Sequence, residues 1–232
     1  MTTERLIVYE HMENGSRDQH LHPDRGSSSL MPLTVSWRIR IDVLLGVSRA
    51  IKHLHCHANG PIIHRDIKST NILLDVSWVP HLSDFGLSVK YHHMANQESG
   101  LETNVVGTYG YADPEYISSG RVKPNSDLYS LGVLMLEVLI GKRSIFQSDD
   151  KVYTSLPILA LPIIEAGKLR KLIDKRPVPK PTPWQLRALQ QVAQTAARCV
   201  QLEGKDRPAI SYVVANLKMA LELFCRDEPA SG

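Results

Sequence analysis

The stretch His64-Arg65-Asp66-Ile67-Lys68-Ser69-Thr70-Asn71, followed by Asp84-Phe85-Gly86, decides the interpretation of this sequence. Asp66 is a carboxylate that can receive a hydroxyl proton, whereas Asn71 and Asp84 are hard oxygen ligands suited to Mg²⁺. The tripeptide Asp-Phe-Gly alone is a weak signal. The two segments in this order and at this spacing form a strong one.

Composition places the chain among ordinary globular proteins. It has 232 residues, of which 43% are hydrophobic and 22% charged, so one sizeable domain with its own core is expected. The net charge of +3 is too small to indicate a nucleic acid or a membrane surface as partner. The three cysteines, Cys56, Cys199 and Cys225, are widely spaced and are expected to be reduced and mostly buried.

No stretch of the sequence predicts a signal peptide or a membrane-spanning helix. The first ten residues carry Glu4 and Arg5 and have no long apolar core. The longest apolar run, 128–140, is too short for a bilayer and contains Glu137, which predicts a buried core helix. The chain as written is therefore expected to be cytoplasmic.

The hydrophobic pattern predicts a mainly helical protein with little β structure. Residues 6–9 form a β-rich run, and 72–74 with 81–83 predict a small hairpin that places Asn71 and Asp84 near its open end. The polar segment 87–113 is expected to be a functional loop. Helices are predicted at roughly 35–57, 127–140, 153–166, 184–201 and 208–224.

Three proline-containing segments refine these boundaries. Residues 22–32 predict an exposed loop, and the segment 175–183 is too rich in proline to be helical. Pro208 is predicted to occupy the first turn of the last helix, where proline is favoured.

Further motifs extend the pattern of the opening stretch. Gly107–Tyr116, Ser126–Val133 and Asp206–Pro208 resemble the end of a protein kinase activation segment and two motifs of the lobe behind it. Asp-Pro-Glu stands where most kinases have Ala-Pro-Glu. The residues of these motifs are similar to those of plant receptor-like serine/threonine kinases. The crinkly-type subgroup is the most similar.

The resemblance runs from Leu6 to about Phe224 and implies an α+β, mainly α, fold. That fold is a kinase C-terminal lobe with a small β-hairpin, without the N-terminal lobe. Residues 1–16 would be the remnant strand and hinge, and 17–224 the C-terminal lobe. This lobe would hold the catalytic loop 64–71 and the activation segment 84–115. Residues 225–232 are expected to be a disordered tail.

The resemblance also implies roles for site residues, with ATP and Mg²⁺ as cofactors. Asp66 would be the catalytic base, and Lys68 would neutralise the transferring phosphoryl group, which favours serine/threonine specificity. Asn71 and Asp84 would hold Mg²⁺. The adenine pocket would be formed by Tyr9 as gatekeeper, Glu10, Met12 and Leu73.

Regulatory and structural roles follow in the same way. Arg65 could meet a phosphate on the activation loop. The candidate acceptors are Ser99, Thr103 and Thr108, although Thr108 more closely resembles the threonine that bonds the catalytic aspartate and lysine. The residues expected to be structural are His64, Phe85, Gly86, Glu115, Asp127 and Arg207, with Asp127 holding the catalytic-loop backbone and Glu115 paired with Arg207.

A histidine cluster offers an alternative site. His53 and His57 lie one helical turn apart and could suggest a metal, with His55 and Cys56 between them. No third spaced ligand joins them, so a solvated helix end is the preferred interpretation.

The 232 residues contain no G-x-G loop, and the first lysine is Lys52, inside the helix before the catalytic loop. A kinase needs both a Gly-rich loop and a strand lysine upstream of the hinge. Phosphotransfer by this chain alone is therefore expected to be negligible. Two hypotheses stay open: a serine/threonine kinase of which this is a fragment, and a non-catalytic module that competes for kinase partners.

The partners expected for the first hypothesis are ATP and a protein with acceptor serine or threonine, and no nucleic acid. The parent protein is expected at the cytosolic side of the plasma membrane, although this chain itself contains no membrane segment.

Overall fold

A computed structural model describes residues 6–23, 33, 36–91, 100–148, 150–177 and 181–226. The helices are α1 (Arg17–Leu21), α2 (Trp37–His55), α3 (Pro114–Ser119), α4 (Pro124–Ile140), α5 (Leu156–Glu165), α6 (Pro183–Cys199) and α7 (Ile210–Cys225). The strands are β1 (Ile62–Ile63), β2 (Ile72–Leu74), β3 (Pro80–Leu82), β4 (Val89–Lys90), β5 (Leu101–Glu102), β6 (Arg121–Val122), β7 (Ile145–Gln147) and β8 (Tyr153–Ser155). This helix-rich pattern with small antiparallel sheets agrees with the predicted α+β, mainly α, class.

Helix α4 is the centre of the core. Every residue from Ser126 to Ile140 is buried, because the helix is apolar all round and packs against α2, α5 and α6. Gly132 permits the close approach of α6, since an added Cβ would lie 2.7 Å from the Cβ of Cys199. The helix ends at Gly141, whose φ of 72° is the left-handed conformation that favours glycine. The predicted helix is confirmed, with its start three residues earlier.

Helix α2 confirms the helical period of its sequence. The side chain of Ser36 accepts a hydrogen bond from the Ile39 amide and so caps the first turn. Its apolar face packs against α7 and α4 and against strand β3. The helix ends at His55, whose Nε2 lies 2.8 Å from the carboxylate of Asp127.

Strands β2 and β3 form the predicted antiparallel hairpin, with Ile72 opposite Leu82. Asn71 directly precedes β2, and Asp84 follows β3 after one residue. The hairpin therefore brings the two predicted metal ligands to one end of a rigid unit.

Three predicted elements differ in the structure. Residues 6–9 form no strand and are 75–93% exposed, because among the described residues no strand lies beside them. Tyr153–Ser155 pairs with Ile145–Gln147 as a strand, so the predicted helix begins only at Leu156. The last helix begins at Ile210 after Ala209, so the prediction of Pro208 in its first turn is wrong.

The cysteine prediction is correct only in part. Cys199 is buried, which raises the pKa of its thiol to about 12, and it is not in a disulfide. Cys56 is exposed at the end of α2. The side chain of Cys225 lies outside the described residues.

Within the described ranges, no helix combines the length and the apolar character needed to cross a bilayer. Ser99, most of the predicted loop 22–32 and the tail beyond Arg226 lie outside those ranges.

The predicted ion pair between Glu115 and Arg207 is wrong. Arg207 is buried, and its Nη2 lies 2.6 Å from Oδ1 of Asp113. Its remaining N–H groups donate to the main-chain oxygens of Gln201, Leu202 and Asn125. Asp113 stands where most kinases have alanine, so this chain has an additional carboxylate within reach of the guanidinium.

Glu115 has other partners instead. Its carboxylate lies 3.2 Å from Nζ of Lys123 and accepts a hydrogen bond from the Gly204 amide. Burial raises the pKa of Glu115, but the Gly204 amide and Lys123 outweigh it and lower the pKa below its usual range. Arg207 contributes only at longer range.

Because Arg207 pairs with Asp113 and Glu115 pairs with Lys123, two matched substitutions should lower the free energy of unfolding by different amounts. Asp113→Asn should lower the free energy of unfolding by about 3 kcal/mol, because it leaves the buried charge of Arg207 unpaired. Glu115→Gln should cost less than about 1 kcal/mol, since the pair with Lys123 is partly exposed. Urea unfolding of both variants measures the difference. A larger loss for Glu115→Gln would contradict the assignment.

Candidate functional site

The carboxylate of Asp127, which is buried in α4, holds the catalytic loop by its backbone. Oδ2 accepts the His64 amide at 2.9 Å and Oδ1 accepts the Arg65 amide at 3.0 Å. These two bonds support a left-handed conformation at Arg65, whose φ is 70°. Such a conformation is strained for a non-glycine residue and is found where surrounding contacts enforce it. The carboxylate therefore determines the direction in which the chain enters Asp66.

His55 is a third partner of Asp127. Its Nε2 lies 2.8 Å from Oδ2, and its side chain is only 6% exposed. The interpretation of this histidine as part of a solvated helix end is therefore wrong. The described residues contain no group of three or more His, Cys, Asp or Glu that could hold a metal ion. His53 lies on an exposed face of α2, and His57 lies beyond the end of the helix.

Asp66 lies at the centre of a close set of side chains. Its Oδ2 lies 2.8 Å from Nζ of Lys68, and its Oδ1 accepts a hydrogen bond of 2.6 Å from the hydroxyl of Thr108. Lys68 also donates to Oγ1 of Thr108 at 2.9 Å. Burial raises the pKa of Asp66, but the hydrogen bonds from Lys68 and Thr108 outweigh it and lower the pKa below its ordinary value. The carboxylate is therefore ionised at neutral pH.

Asn71 is oriented by Asp66. Its Nδ2 donates to the main-chain oxygen of Asp66 at 2.9 Å and to Oδ2 at 3.1 Å. Among the described residues, the amide oxygen Oδ1 of Asn71 has no hydrogen-bond donor, so it is available to a ligand. The orientation agrees with its predicted role as an oxygen ligand.

The Asp-Phe-Gly segment follows β3 in a strained turn. Asp84 has a φ of 62°, and its exposed carboxylate caps the turn by accepting the Gly86 amide at 3.3 Å. Phe85 packs edge-on against the ring of His64, with 5.0 Å between ring centroids. The Nε2 of His64 in turn lies 3.0 Å from the main-chain oxygen of Ser83. The segment is thereby fixed to the catalytic loop.

An open cavity of about 610 Å³ lies beside this segment. Its lining includes four residues that sequence predicted for the nucleotide, namely Glu10, Met12, Leu73 and Asp84, together with the predicted gatekeeper Tyr9. Asn71 is not part of this lining. The lining is mainly apolar, as expected for a flat organic ring.

Arg65 connects the catalytic loop to the activation segment. Its Nη1 lies 3.2 Å from the hydroxyl oxygens of both Thr103 and Tyr116, and its Nε donates to the main-chain oxygen of Leu87. Thr103 is thus the predicted acceptor that the structure places beside Arg65. Thr108 instead contacts Asp66 and Lys68, in agreement with its structural interpretation.

A buried network that sequence reasoning missed lies beneath the catalytic loop. Glu137 is fully buried and pairs with Arg17 at 3.2 Å. The hydroxyl of Tyr111 donates to Glu137 at 2.7 Å, and Nη1 of Arg17 donates to Ser69 at 2.8 Å. Burial raises the pKa of Glu137, but His22 and Arg17 outweigh it and lower the pKa, so that the carboxylate is ionised. The available signal was Glu137 itself, a charge within an apolar run.

Comparisons with known proteins agree with this geometry. A family model described as the protein kinase domain matches residues 1–217. The kinase-like proteins CCR3 and CCR4 of Arabidopsis thaliana are 41% and 39% identical to this chain over 98% and 95% of its length. The receptor-like protein kinase ANXUR2 of the same plant is 36% identical over 99% of the chain.

The chain spans only part of these relatives. It covers 29% of CCR3, 28% of CCR4 and 25% of ANXUR2. These matches confirm the resemblance to plant receptor-like serine/threonine kinases, including the crinkly type.

The geometry predicts that Asp127 is essential to the stability of the site. Asp127→Asn should lower the free energy of unfolding by about 3 kcal/mol, because an amide cannot accept from both backbone N–H groups and His55 together. Hydrogen exchange at the His64 and Arg65 amides should accelerate. Asp206→Asn, at an exposed aspartate, is the matched control and should change neither quantity. Equal effects of the two substitutions would contradict the role of Asp127.

Proposed function

This chain belongs to the protein kinase family, and we propose that it supplies the catalytic loop, metal ligands and activation segment of a serine/threonine kinase. The observation that carries the proposal is the contact set of Asp66. An ionised carboxylate lies 2.8 Å from the Nζ of Lys68 and 2.6 Å from the hydroxyl of Thr108. The side chain of Asp66 is buried, yet Lys68 is 23% exposed, so the set is open to a substrate on one side.

Different residues of the chain would perform different parts of phosphoryl transfer. When bound, ATP provides the γ-phosphoryl group and Mg²⁺ neutralises charge on its phosphates. Asn71 and Asp84 would hold the metal, and two protein oxygen ligands suit an ion that retains water and phosphate ligands. Asp66 would accept the proton of the substrate hydroxyl, and Lys68 would offset the negative charge that develops beside it.

Lys68 also supports serine and threonine, rather than tyrosine, as the acceptor residues. Its Nζ bridges Asp66 and Thr108, which fixes a cation next to the carboxylate that would receive the proton. A lysine at this place resembles the serine/threonine class of kinases rather than the tyrosine class. The named relatives CCR3 and CCR4 are described as serine/threonine-protein kinase-like.

The exposed apolar residues beside the nucleotide cavity support the presence of a second segment that covers them. Tyr9 lines the cavity, and the run 6–9 that ends with it is 75–93% exposed. Four adjacent exposed apolar residues are unusual on a protein surface. We propose that a Gly-rich loop and a lysine from an upstream segment complete this site. Loss of a single preorganised donor costs about 2.7–4 kcal/mol of transition-state stabilisation. The 232-residue chain by itself should therefore transfer phosphate at a negligible rate.

A parent protein that is longer than this chain is part of the proposal. The chain covers about a quarter to three tenths of its receptor-like relatives. We place the parent at the cytosolic side of the plasma membrane, by analogy with the receptor-like protein kinase ANXUR2.

A non-catalytic role is the second candidate. On the acceptor side of the site, Thr108, Lys68 and Asp66 are in mutual contact. A chain with this surface and no phosphotransfer of its own could bind protein substrates of complete kinases and compete for them.

A fusion experiment separates the two functions. The segment of CCR4 that precedes its match to this chain is joined to the first matched residue of this chain, and transfer from radiolabelled ATP to a protein acceptor is measured. The fusion should phosphorylate serine and threonine but not tyrosine, and the 232-residue chain alone should not.

The matched control is the same fusion with Asp66→Asn, which should lose at least about a hundredfold in rate because the general base is removed. Ordinary kinase turnover by the chain alone would refute the requirement for an upstream segment. A folded but inactive fusion would favour the binding module.

Activation-segment phosphorylation provides a further prediction. A phosphate on Thr103 should form charge-assisted hydrogen bonds with Arg65, whose Nη1 is 3.2 Å from the hydroxyl. Limited proteolysis of residues 100–113 should slow after phosphorylation of the fusion, and Arg65→Gln should abolish the protection. The absence of phosphate between residues 87 and 108 in active fusion protein would remove this prediction. Ser99, the other candidate, lies outside the described residues.

A further inference from the structure

A second, smaller cavity of about 260 Å³ lies beside the catalytic aspartate. Lys68 and Thr108, which contact Asp66, form one wall of this cavity, and Arg143 with Asp18 forms another. The volume suits one side chain of a bound peptide. Because the cavity adjoins Asp66, a residue that enters it would belong to the same substrate as the acceptor hydroxyl.

The carboxylates near this cavity are already paired. Asp18 is 15% exposed and receives Nη1 of Arg143 at 2.8 and 3.0 Å. Glu137 lies behind Tyr111 and Ser144, which line the cavity, and it is paired with Arg17. A basic substrate residue would therefore find no free carboxylate here.

Arg143 keeps unused hydrogen-bond donors at this cavity. Lys68 is paired with Asp66, whereas Arg143 is paired with Asp18 through its Nη1 alone. Arg143 is 54% exposed, and in the described part of the chain its Nε and Nη2 have no acceptor. A guanidinium has five N–H donors in a planar fork, so Arg143 can bind a second carboxylate while it keeps Asp18.

We propose that this cavity selects substrates with an acidic side chain near the phosphoacceptor, and that Arg143 is the residue that determines this specificity. The inference rests on the proposed kinase function, because that function makes the cavity part of a substrate site. Asp18 orients Arg143 by holding its Nη1. Thr70, which also lines the cavity, adds a neutral hydroxyl to the wall.

The test is peptide binding to the 232-residue chain, measured by fluorescence anisotropy at low salt. Three labelled serine peptides differ only in having Glu, Gln or Arg at the positions that flank the acceptor. The Glu peptide should bind about threefold to fivefold more tightly than the Gln peptide, the range of a partly exposed ion pair. The Arg peptide should bind more weakly than both.

Variants link the preference to Arg143. Arg143→Gln should bring the ratio between the Glu and Gln peptides to about one, chiefly by weakening the binding of the Glu peptide. The double exchange Asp18→Arg with Arg143→Asp should reverse the preference towards the Arg peptide, because it retains the ion pair and inverts the exposed charge. Arg198→Gln, at an exposed arginine of α6, is the matched control and should keep the original ratio.

Equal affinities for the Glu and Gln peptides, or no measurable affinity for either, would overturn this assignment. So would an unchanged ratio in folded Arg143→Gln. Binding of a fluorescent ATP analogue to the fusion protein is measured separately. Peptide selectivity without nucleotide binding or transfer would contradict the proposed function and leave the acidic preference in place.

Discussion

One buried carboxylate supports the rest of this site. Asp127 is held rigidly in a fully buried helix, and it accepts both backbone amides that lead into Asp66. Without these bonds, the left-handed backbone at Arg65 would relax, because strain persists only where neighbouring contacts enforce it. The positions of Asp66, Lys68 and Asn71 therefore all depend on a residue that touches no substrate. His55 binds the same carboxylate and connects the end of α2 to it.

The catalytic loop and the activation segment act as one unit because several side chains cross between them. Thr108 contacts Asp66 directly, and Tyr111 reaches Glu137 beneath the loop. Arg65 contacts Tyr116 and Thr103 on the other side. A change in the conformation of the segment must therefore alter the surroundings of the Asp66 carboxylate. Such coupling requires no long pathway, since each link is a single hydrogen bond.

Sequence alone gave those features that depend on local pattern or on a specific motif. The hairpin, helix α2 and helix α4 were predicted from the hydrophobic pattern, whereas the contacts of Thr108 were implied by the resemblance to protein kinases. The partner of Arg207 and the burial of His55 were mispredicted, because tertiary distance decides which of two nearby carboxylates, or which face of a helix, is used. Strand β8 was also missed, because its pairing with β7 had no clear signal in the sequence. Its pairing partner β7 carries no alternating pattern strong enough to signal a hairpin.

The exposed residues 6–9 have a consequence for the abundance of the protein in the cell. Four adjacent apolar side chains that are 75–93% exposed resemble the segments through which unfolded chains associate. Whenever no other segment covers them, molecular chaperones and proteases can recognise a protein that is otherwise fully folded. Abundance would then depend on how often this edge is covered rather than on the stability of the core.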